Sequence, residues 1–220
     1  METNNKKKVI LDLCGGTGAW SAPYKKNGYT VHNITLPDYD ILKTEIRHLY
    51  KDMFFHGEKT LGISCDEIYG ILAAPDCTQF SLARTRAKIE RDFREGMKLV
   101  KACLNIIWEC RYEPKYRKDG ALKFWSLENP MGFLRQFLGK PVFTFDPCDF
   151  GDPYTKKTDL WGYFNIPKKS PIILTEEQIK QCKINNRKLP SISEITNSKQ
   201  ADKRAITPSG FANAFYKVNK

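Results

Sequence analysis

Two places in this sequence put reactive side chains where an apolar run gives way to a loop. The run Tyr69 to Ala74 is stopped by Pro75 and followed by Asp76-Cys77-Thr78-Gln79-Phe80-Ser81. A thiol at such a strand end can add, as thiolate, to an electron-poor carbon when nearby cations or helix amides lower its pKa. Arg84 and Arg86 are the nearest sources of that field. A second run, Phe124 to Leu127, ends in Glu128-Asn129-Pro130, so a carboxylate can face the same crevice. The pair suits attack on carbon 6 of a pyrimidine, because a carboxylic acid of raised pKa can hold a proton at the ring nitrogen while sulfur adds. Taken singly, each has an ordinary alternative, Cys77 as a core thiol and Glu128 as a cap.

A third feature lies upstream. Val9 to Leu13 reads as a short buried strand containing Asp12, and Cys14-Gly15-Gly16-Thr17-Gly18 follows as a glycine-rich turn. Glycines let the backbone approach a nucleotide-like cofactor, although such turns also close strand-to-helix corners that bind nothing. Gly18 is followed by Ala19-Trp20-Ser21, so the Gly-x-Gly-x-x-Gly pyrophosphate fingerprint is not met. That favours S-adenosylmethionine over NAD or FAD.

The elements that must position these residues follow from hydrophobic spacing. Gly28 to Leu36 alternates like a second strand, and Tyr69 to Ala74 forms a third. Phe93, Met97, Val100, Cys103, Leu104, Ile107 and Trp108 give Lys88 to Cys110 the spacing of an amphipathic helix. Phe124 to Glu128 and Asp159 to Phe164 read as strands, Phe133 to Leu138 as a short helix or turn, and Leu174 to Cys182 as a brief helix. Thr207 to Lys220 closes the chain as a helix, after a polar segment, Lys183 to Lys203, expected to be a loop or mobile insertion. Alternating strands and helices imply an α/β fold, a parallel sheet with helices on both faces and its ligands at the carboxyl ends of the strands. We expect a single domain over 1–220, with 165–203 a small irregular insertion.

Composition narrows the classes. The chain's 220 residues, 41% hydrophobic, suit one domain with a sizeable core. No apolar stretch approaches the length of a membrane helix, and the polar leader is not followed by a signal-peptide core, so a soluble cytoplasmic protein is expected. Seven scattered cysteines with no Cys-x-x-Cys pair, beside only three histidines, argue against a disulfide framework or a metal site. The net charge of +11 attracts polyanions, nucleic acid among them.

Together these segments resemble the cytosine-5 DNA methyltransferases. Asp12-Leu13-Cys14-Gly15-Gly16-Thr17-Gly18 is similar to the cofactor loop Asp-Leu-Phe-x-Gly-x-Gly, and Pro75-Asp76-Cys77-Thr78-Gln79-Phe80-Ser81 looks like the catalytic Pro-Pro-Cys-Gln-x-Phe-Ser loop. Glu128-Asn129-Pro130 is similar to Glu-Asn-Val, and Phe150-Gly151-Asp152-Pro153-Tyr154-Thr155-Lys156-Lys157-Thr158 to Tyr-Gly-x-Pro-Gln-x-Arg-x-Arg, so the matches run over most of the chain in the family's order. The resemblance implies a Rossmann-like S-adenosylmethionine-dependent sheet and a covalent Cys77 adduct on an extruded cytosine. It implies Glu128 at the ring nitrogen and Lys156 in the first arginine position, near the cytosine carbonyl. Asp12, Gly15, Gly16, Gly18 and Pro75 would line the cofactor, and Asp40 would meet the adenine amine. Asp38 is the fallback for a ribose acid, since Ile34-Thr35-Leu36 supplies none.

The departures from that pattern also have consequences. Asp76 replaces the second proline and should raise the thiol's pKa; Thr158 replaces the second arginine; Pro130 replaces valine. Little chain remains for a target-recognition domain, which implies short or weakly specified targets, or an accessory specificity protein. The implied partner is double-stranded DNA, with RNA open, and the implied setting a bacterial or bacteriophage modification system, such as restriction-modification. A nucleic-acid-binding relative that has lost its chemistry is the competing reading. Methylation of an exocyclic amine fits less well, because Ala74-Pro75-Asp76-Cys77 lacks the aromatic residue of that chemistry's loop.

Overall fold

A computed structural model of the chain describes residues 5–47, 52–82, 89–112, 122–171, 173, 177, 189–196 and 201–220. The order is β1 (Val9–Leu13), α1 (Ala22–Lys26), β2 (Thr30–Ile34), β3 (Asp40–Arg47), β4 (Asp52–His56), β5 (Thr60–Ser64), β6 (Ile68–Ala73), α2 (Phe93–Arg111), β7 (Phe124–Pro130), α3 (Arg135–Leu138), β8 (Phe143–Phe145), β9 (Thr158–Tyr163), α4 (Ile192–Ile195), α5 (Ala201–Ala205) and α6 (Ser209–Val218).

Every residue of β1 is buried, as expected of a strand covered on both faces. It lies within a six-stranded sheet of order β2-β1-β6-β7-β9-β8. The first four strands are parallel and β9 runs antiparallel to both β7 and β8. The architecture is therefore α/β with a mixed sheet and a mostly parallel core, consistent with a Rossmann-like fold. The wholly parallel sheet expected from the sequence needs correction at its far edge. Between β8 and β9 the only helical piece is the 3-10 turn Pro147–Phe150. A parallel return requires a crossover, usually helical, whereas a short connection returns antiparallel.

Side chains alternate between the two faces and split the core in two. Leu11, Leu13, Ile71, Ala73, Leu127 and Trp161 pack with Val100, Cys103, Ile106 and Ile107 of α2. Ile10, Leu72, Phe124 and Leu160 pack on the other face with Trp20, Tyr24 and the α6 residues Phe211 and Phe215. Phe211 stacks on Phe145 with ring centroids 3.9 Å apart and 14° between planes. Helices on both faces were expected, and both are present.

A second sheet was not expected. β3, β4 and β5 form an antiparallel meander whose Ile41, Met53, Phe55 and Ile63 join the core on the α2 side. The exposed residues on the outer side of β3 give that segment the composition of a loop.

Several boundaries shift for local reasons. β2 starts at Thr30 rather than Gly28, because Gly28 is left-handed (φ 83°). The Asp92 carboxylate accepts the Glu95 N–H and caps α2, so that helix starts at Phe93 rather than Lys88. The polar segment 183–203 is not wholly loop. Ser191 and Glu194 form a capping box at α4, and the Thr155 N–H donates to the Pro190 carbonyl at 2.9 Å, which docks this piece against the chain before β9. Of the helix expected over Leu174 to Cys182 only Glu177 is among the described residues, and it is helical. Among the described residues no helix is long and apolar enough to cross a membrane.

Candidate active site

The parallel register brings three strand ends together. The Ala74 N–H donates to the Leu13 carbonyl at 2.9 Å and the Cys14 N–H to the Ile34 carbonyl at 2.8 Å, so the loops after β1, β2 and β6 start side by side. The chain leaves β1 toward β2 on one side and later builds β6 and β7 on the other, so the gap between β1 and β6 is the point where strand order reverses. In open α/β sheets that point is where ligands bind.

The turn after β1 is shaped by hydrogen bonds and by absent side chains. Cys14, Gly16 and Gly18 all have positive φ (56°, 54° and 71°), and the Gly18 N–H closes a turn on the Gly15 carbonyl. A Cβ on Gly15 would run into the Asp12 carboxylate and the Asn33 amide, whereas one on Gly16 would meet nothing. Asp12 is fully buried and its Oδ2 accepts the Ser21 hydroxyl at 2.5 Å. Burial pushes its pKa up to about 6 against the lowering effect of the Ser21 bonds. Asn33, opposite Asp12 on β2, donates its amide to the Gly16 carbonyl at 2.8 Å. Asp12 Oδ1 and Asn33 Oδ1 are buried without a protein partner. An exposed glycine backbone at Gly16, beside two unsatisfied acceptors, fits a ligand carrying hydrogen-bond donors.

The second cluster forms where β6, β7 and β9 end or begin. Pro75 is buried and its carbonyl accepts the Asn129 amide at 3.0 Å, tying the Cys77 loop to the end of β7. Beyond Cys77, the Phe80 and Ser81 N–H groups donate to the Cys77 carbonyl, and the fully buried Phe80 ring anchors the loop. The β7–β9 register pairs Pro130 with Thr158 and Glu128 with Leu160, which sets Lys156 beside Glu128. Lys156 Nζ lies 3.9 Å from Glu128 Oε1, with side chains only 12% and 14% exposed. Thr158 is buried, and its hydroxyl donates to the Lys156 carbonyl at 2.7 Å. It braces the lysine's backbone rather than leaving a gap where a cation is missing.

Electrostatics link the three. Burial pushes the Cys77 thiol up to about 11, helped by the Glu128 charge and then by Asp76, while Lys156 pulls it down. The rise expected from Asp76 is present, but burial and Glu128 outweigh it. Burial likewise raises the Glu128 carboxyl, opposed by Lys156 and aided by Asp159. Glu128 is thereby favoured as a proton holder, and Cys77 as a thiol that needs help to ionise. Arg84 and Arg86 lie outside the described residues.

Cys77, Glu128, Lys156 and Pro75 thus share one cluster, and Asp12, Gly15, Gly16 and Gly18 the neighbouring turn. Asp12 holds Ser21 through Oδ2 and keeps Oδ1 buried and unpartnered beside the turn. Asp40 opens the first strand of the meander, where its carboxylate accepts the Leu42 N–H at 3.0 Å and lies 3.8 Å from Lys43 Nζ. Asp38 is engaged by Lys59 at 2.8 Å. A cavity of about 310 Å³ lies between β3 and α2, lined by Ile41, Leu42, Lys101 and Ile106 among others, away from Cys77.

Sequence reasoning missed Asn33, Ser21 and Asn129. Only the asparagines' places at strand ends could have marked them. It also missed Arg135, whose guanidinium grips the fully buried Asp159 with two 2.6 Å bonds and so fixes α3 to β9. No protein-family model matches the chain, and no curated protein matches it significantly in sequence.

Proposed function

We propose that this chain transfers a methyl group from S-adenosylmethionine to carbon 5 of cytosine in DNA, with Cys77 as the nucleophile. The observation that carries the reading is the convergence of a strand-end thiol, a buried carboxyl of raised pKa and a lysine at 3.9 Å from it, next to a glycine turn at the point where strand order reverses.

The glycine turn fits the cofactor. Its open backbone at Gly16 and the unsatisfied Asp12 and Asn33 oxygens suit an amino- and hydroxyl-bearing ligand, and Gly18 and Pro75 complete the lining. The cofactor, when bound, supplies an electrophilic methyl group. The chain's residues do the rest. The Cys77 thiol gives up its proton to solvent and its sulfur bonds to carbon 6, which moves the ring electron pair onto carbon 5. Glu128, protonated, holds the ring nitrogen through that addition, and Lys156 steadies negative charge at the neighbouring carbonyl. Once carbon 5 carries the methyl group, loss of its proton to solvent and departure of the Cys77 thiolate restore the ring. The base must leave the duplex to reach a crevice at strand ends, at a cost of a few kcal/mol.

A second reading, a nucleic-acid-binding relative without turnover, is favoured by one observation: a thiol near 11 is almost entirely protonated at neutral pH. Tritium transfer from labelled S-adenosylmethionine to duplex DNA, with RNA in parallel, separates the two. Transfer to DNA that is abolished in Cys77→Ser, with cofactor binding retained by calorimetry, is the expected result. DNA binding without transfer would establish the second reading, transfer to RNA alone would change the substrate, and transfer by Cys77→Ser would remove the nucleophile.

A further inference from the structure

On the face of the sheet turned away from Glu128, and at the opposite strand ends, four aromatic rings gather beside two cations. Trp125 and Tyr163 are cross-strand partners near the start of β7 and the end of β9. The Trp125 indole N–H donates to the Tyr112 hydroxyl at 3.2 Å, and the Tyr112 ring lies 5.8 Å from that of Trp108 on α2. Arg111 sits 4.7 Å over the Tyr163 ring while donating to the Leu122 carbonyl at 3.1 Å, and Lys123, next in the chain, is exposed. Trp108 is 56% exposed, Tyr163 56% and Tyr112 44%. Trp125 itself is half-buried against the α2 side of the core and anchors Tyr112 through its indole N–H. Arg111 covers one face of Tyr163, and Trp108 packs against Tyr112 while more than half of its surface stays in solvent.

Fixed, solvent-facing aromatic rings interleaved with cations are the chemistry of base stacking. A base in a duplex hides both of its faces, so such a surface selects unpaired bases, and the cations meet the phosphates that join them. We propose that this rim binds single-stranded nucleic acid, at a site separate from the Cys77 crevice and independent of any methyl transfer there. The chain's net charge of +11 favours a polyanionic partner and disfavours a second copy of this chain. The occupant argued for is a short unpaired stretch of DNA or RNA.

The test uses the full chain and a fluorescein-labelled oligo-dT of about 12 nucleotides, a length within the usual range for stacking sites. Anisotropy titrations compare the wild type with the double variant Trp108→Ala/Tyr163→Ala, which keeps every charge. Both positions are exposed, and circular dichroism and melting confirm that the variant folds. The expected result is a loss of oligo-dT affinity on the order of tenfold or more, with affinity for a blunt duplex and methyl transfer to that duplex unchanged. Lys123→Gln should give a smaller loss and a shallower salt dependence. Equal oligo-dT affinity in wild type and double variant overturns the proposal, as does equal loss on duplex and single strand. Binding of an acidic peptide at the rim in place of oligo-dT would also overturn it. Failure of methyl transfer in the wild type leaves these readings intact, so the two proposals fall separately.

Discussion

The turn after β1 and the cluster after β6 and β7 lie side by side but are built on opposite principles. The turn is defined by backbone: three residues with positive φ, an Asn33 amide on the Gly16 carbonyl, and a buried Asp12 that shapes the loop through Ser21 without facing solvent. The cluster is defined by side chains whose charges are poorly solvated, with Cys77 and Glu128 both raised and the Lys156 cation opposing both rises. A backbone-built site tolerates changes of charge and fails on changes of volume. A charge-built site does the reverse.

The largest expected effect tests the charge-built half. Glu128→Gln keeps shape but removes the carboxyl that holds a proton when neutral and lifts the thiol when ionised. Turnover should fall by about 10²–10⁴-fold, while alkylation of Cys77 by iodoacetamide, followed by peptide mass mapping, should become faster. In the wild type the alkylation rate should rise about tenfold per pH unit from pH 7 toward the thiol's value near 11, since each unit below it cuts the thiolate fraction tenfold. A plateau near pH 8 would show an activated thiolate and break the comparison. Slower alkylation in Glu128→Gln would show that the carboxylate serves as the thiol's base.

The next effect tests whether the turn really tolerates a change of charge. Asp12 has its folded pKa raised to about 6 from an unfolded 3.8, so the folded state binds the extra proton between those values. Stability from this group is complete below pH 4 and is lost as pH rises through 6, amounting to about 3 kcal/mol once both states are ionised. Asp12→Asn removes that dependence. Chemical denaturation at pH 4 and pH 7 should show the variant gaining on the wild type by up to about 3 kcal/mol at the higher pH, with cofactor binding kept. If the variant lost ground as pH rose, the Asp12 charge would be stabilising and the turn would be charge-built after all.

The two regions also differ in how far they could be read from sequence. The glycine turn and both reactive strand ends were legible because apolar runs broken by Gly or Pro are local signals, and β1, β6 and β7 fall within a residue or two of where those signals put them. Asn33, Ser21 and Asn129 were not: each asparagine acts through one hydrogen bond to a backbone carbonyl distant in sequence and Ser21 through the buried Asp12 carboxylate, and nothing in the residue type announces the partner. The meander failed for another reason. Its outer side is polar, and alternation over β3 is interrupted by a register shift between Asp40 and Glu45, so no clean period survives. Lys156 was legible only as a position in a motif. Its place beside Glu128 depends on the antiparallel turn of β9, the one feature of the main sheet that alternation of strands and helices did not imply. α2 carries Cys103 and Cys110 against Cys14 and Cys65, thiol pairs joined by hydrogen bonds, which scattered spacing had hidden.

The smallest effect, and the sharpest for the backbone-built half, is a single methyl group. Gly15→Ala puts a Cβ into space already taken by the Asp12 carboxylate and the Asn33 amide, both held by bonds of their own. Neither can swing away without losing Ser21 or the Gly16 carbonyl, so the turn must shift. Overpacking of this kind costs about 1–3 kcal/mol of stability, and cofactor affinity should weaken along with it. Gly16→Ala meets no neighbour but is strained by its φ of 54°, so it should cost about 1–2 kcal/mol from backbone alone. In both variants Cys77 alkylation should keep the wild-type rate and pH profile, because the thiol takes its shift from burial and from the charges of Glu128, Lys156 and Asp76. A changed alkylation profile in Gly15→Ala would mean that the two regions are coupled through the shared ends of β1 and β6.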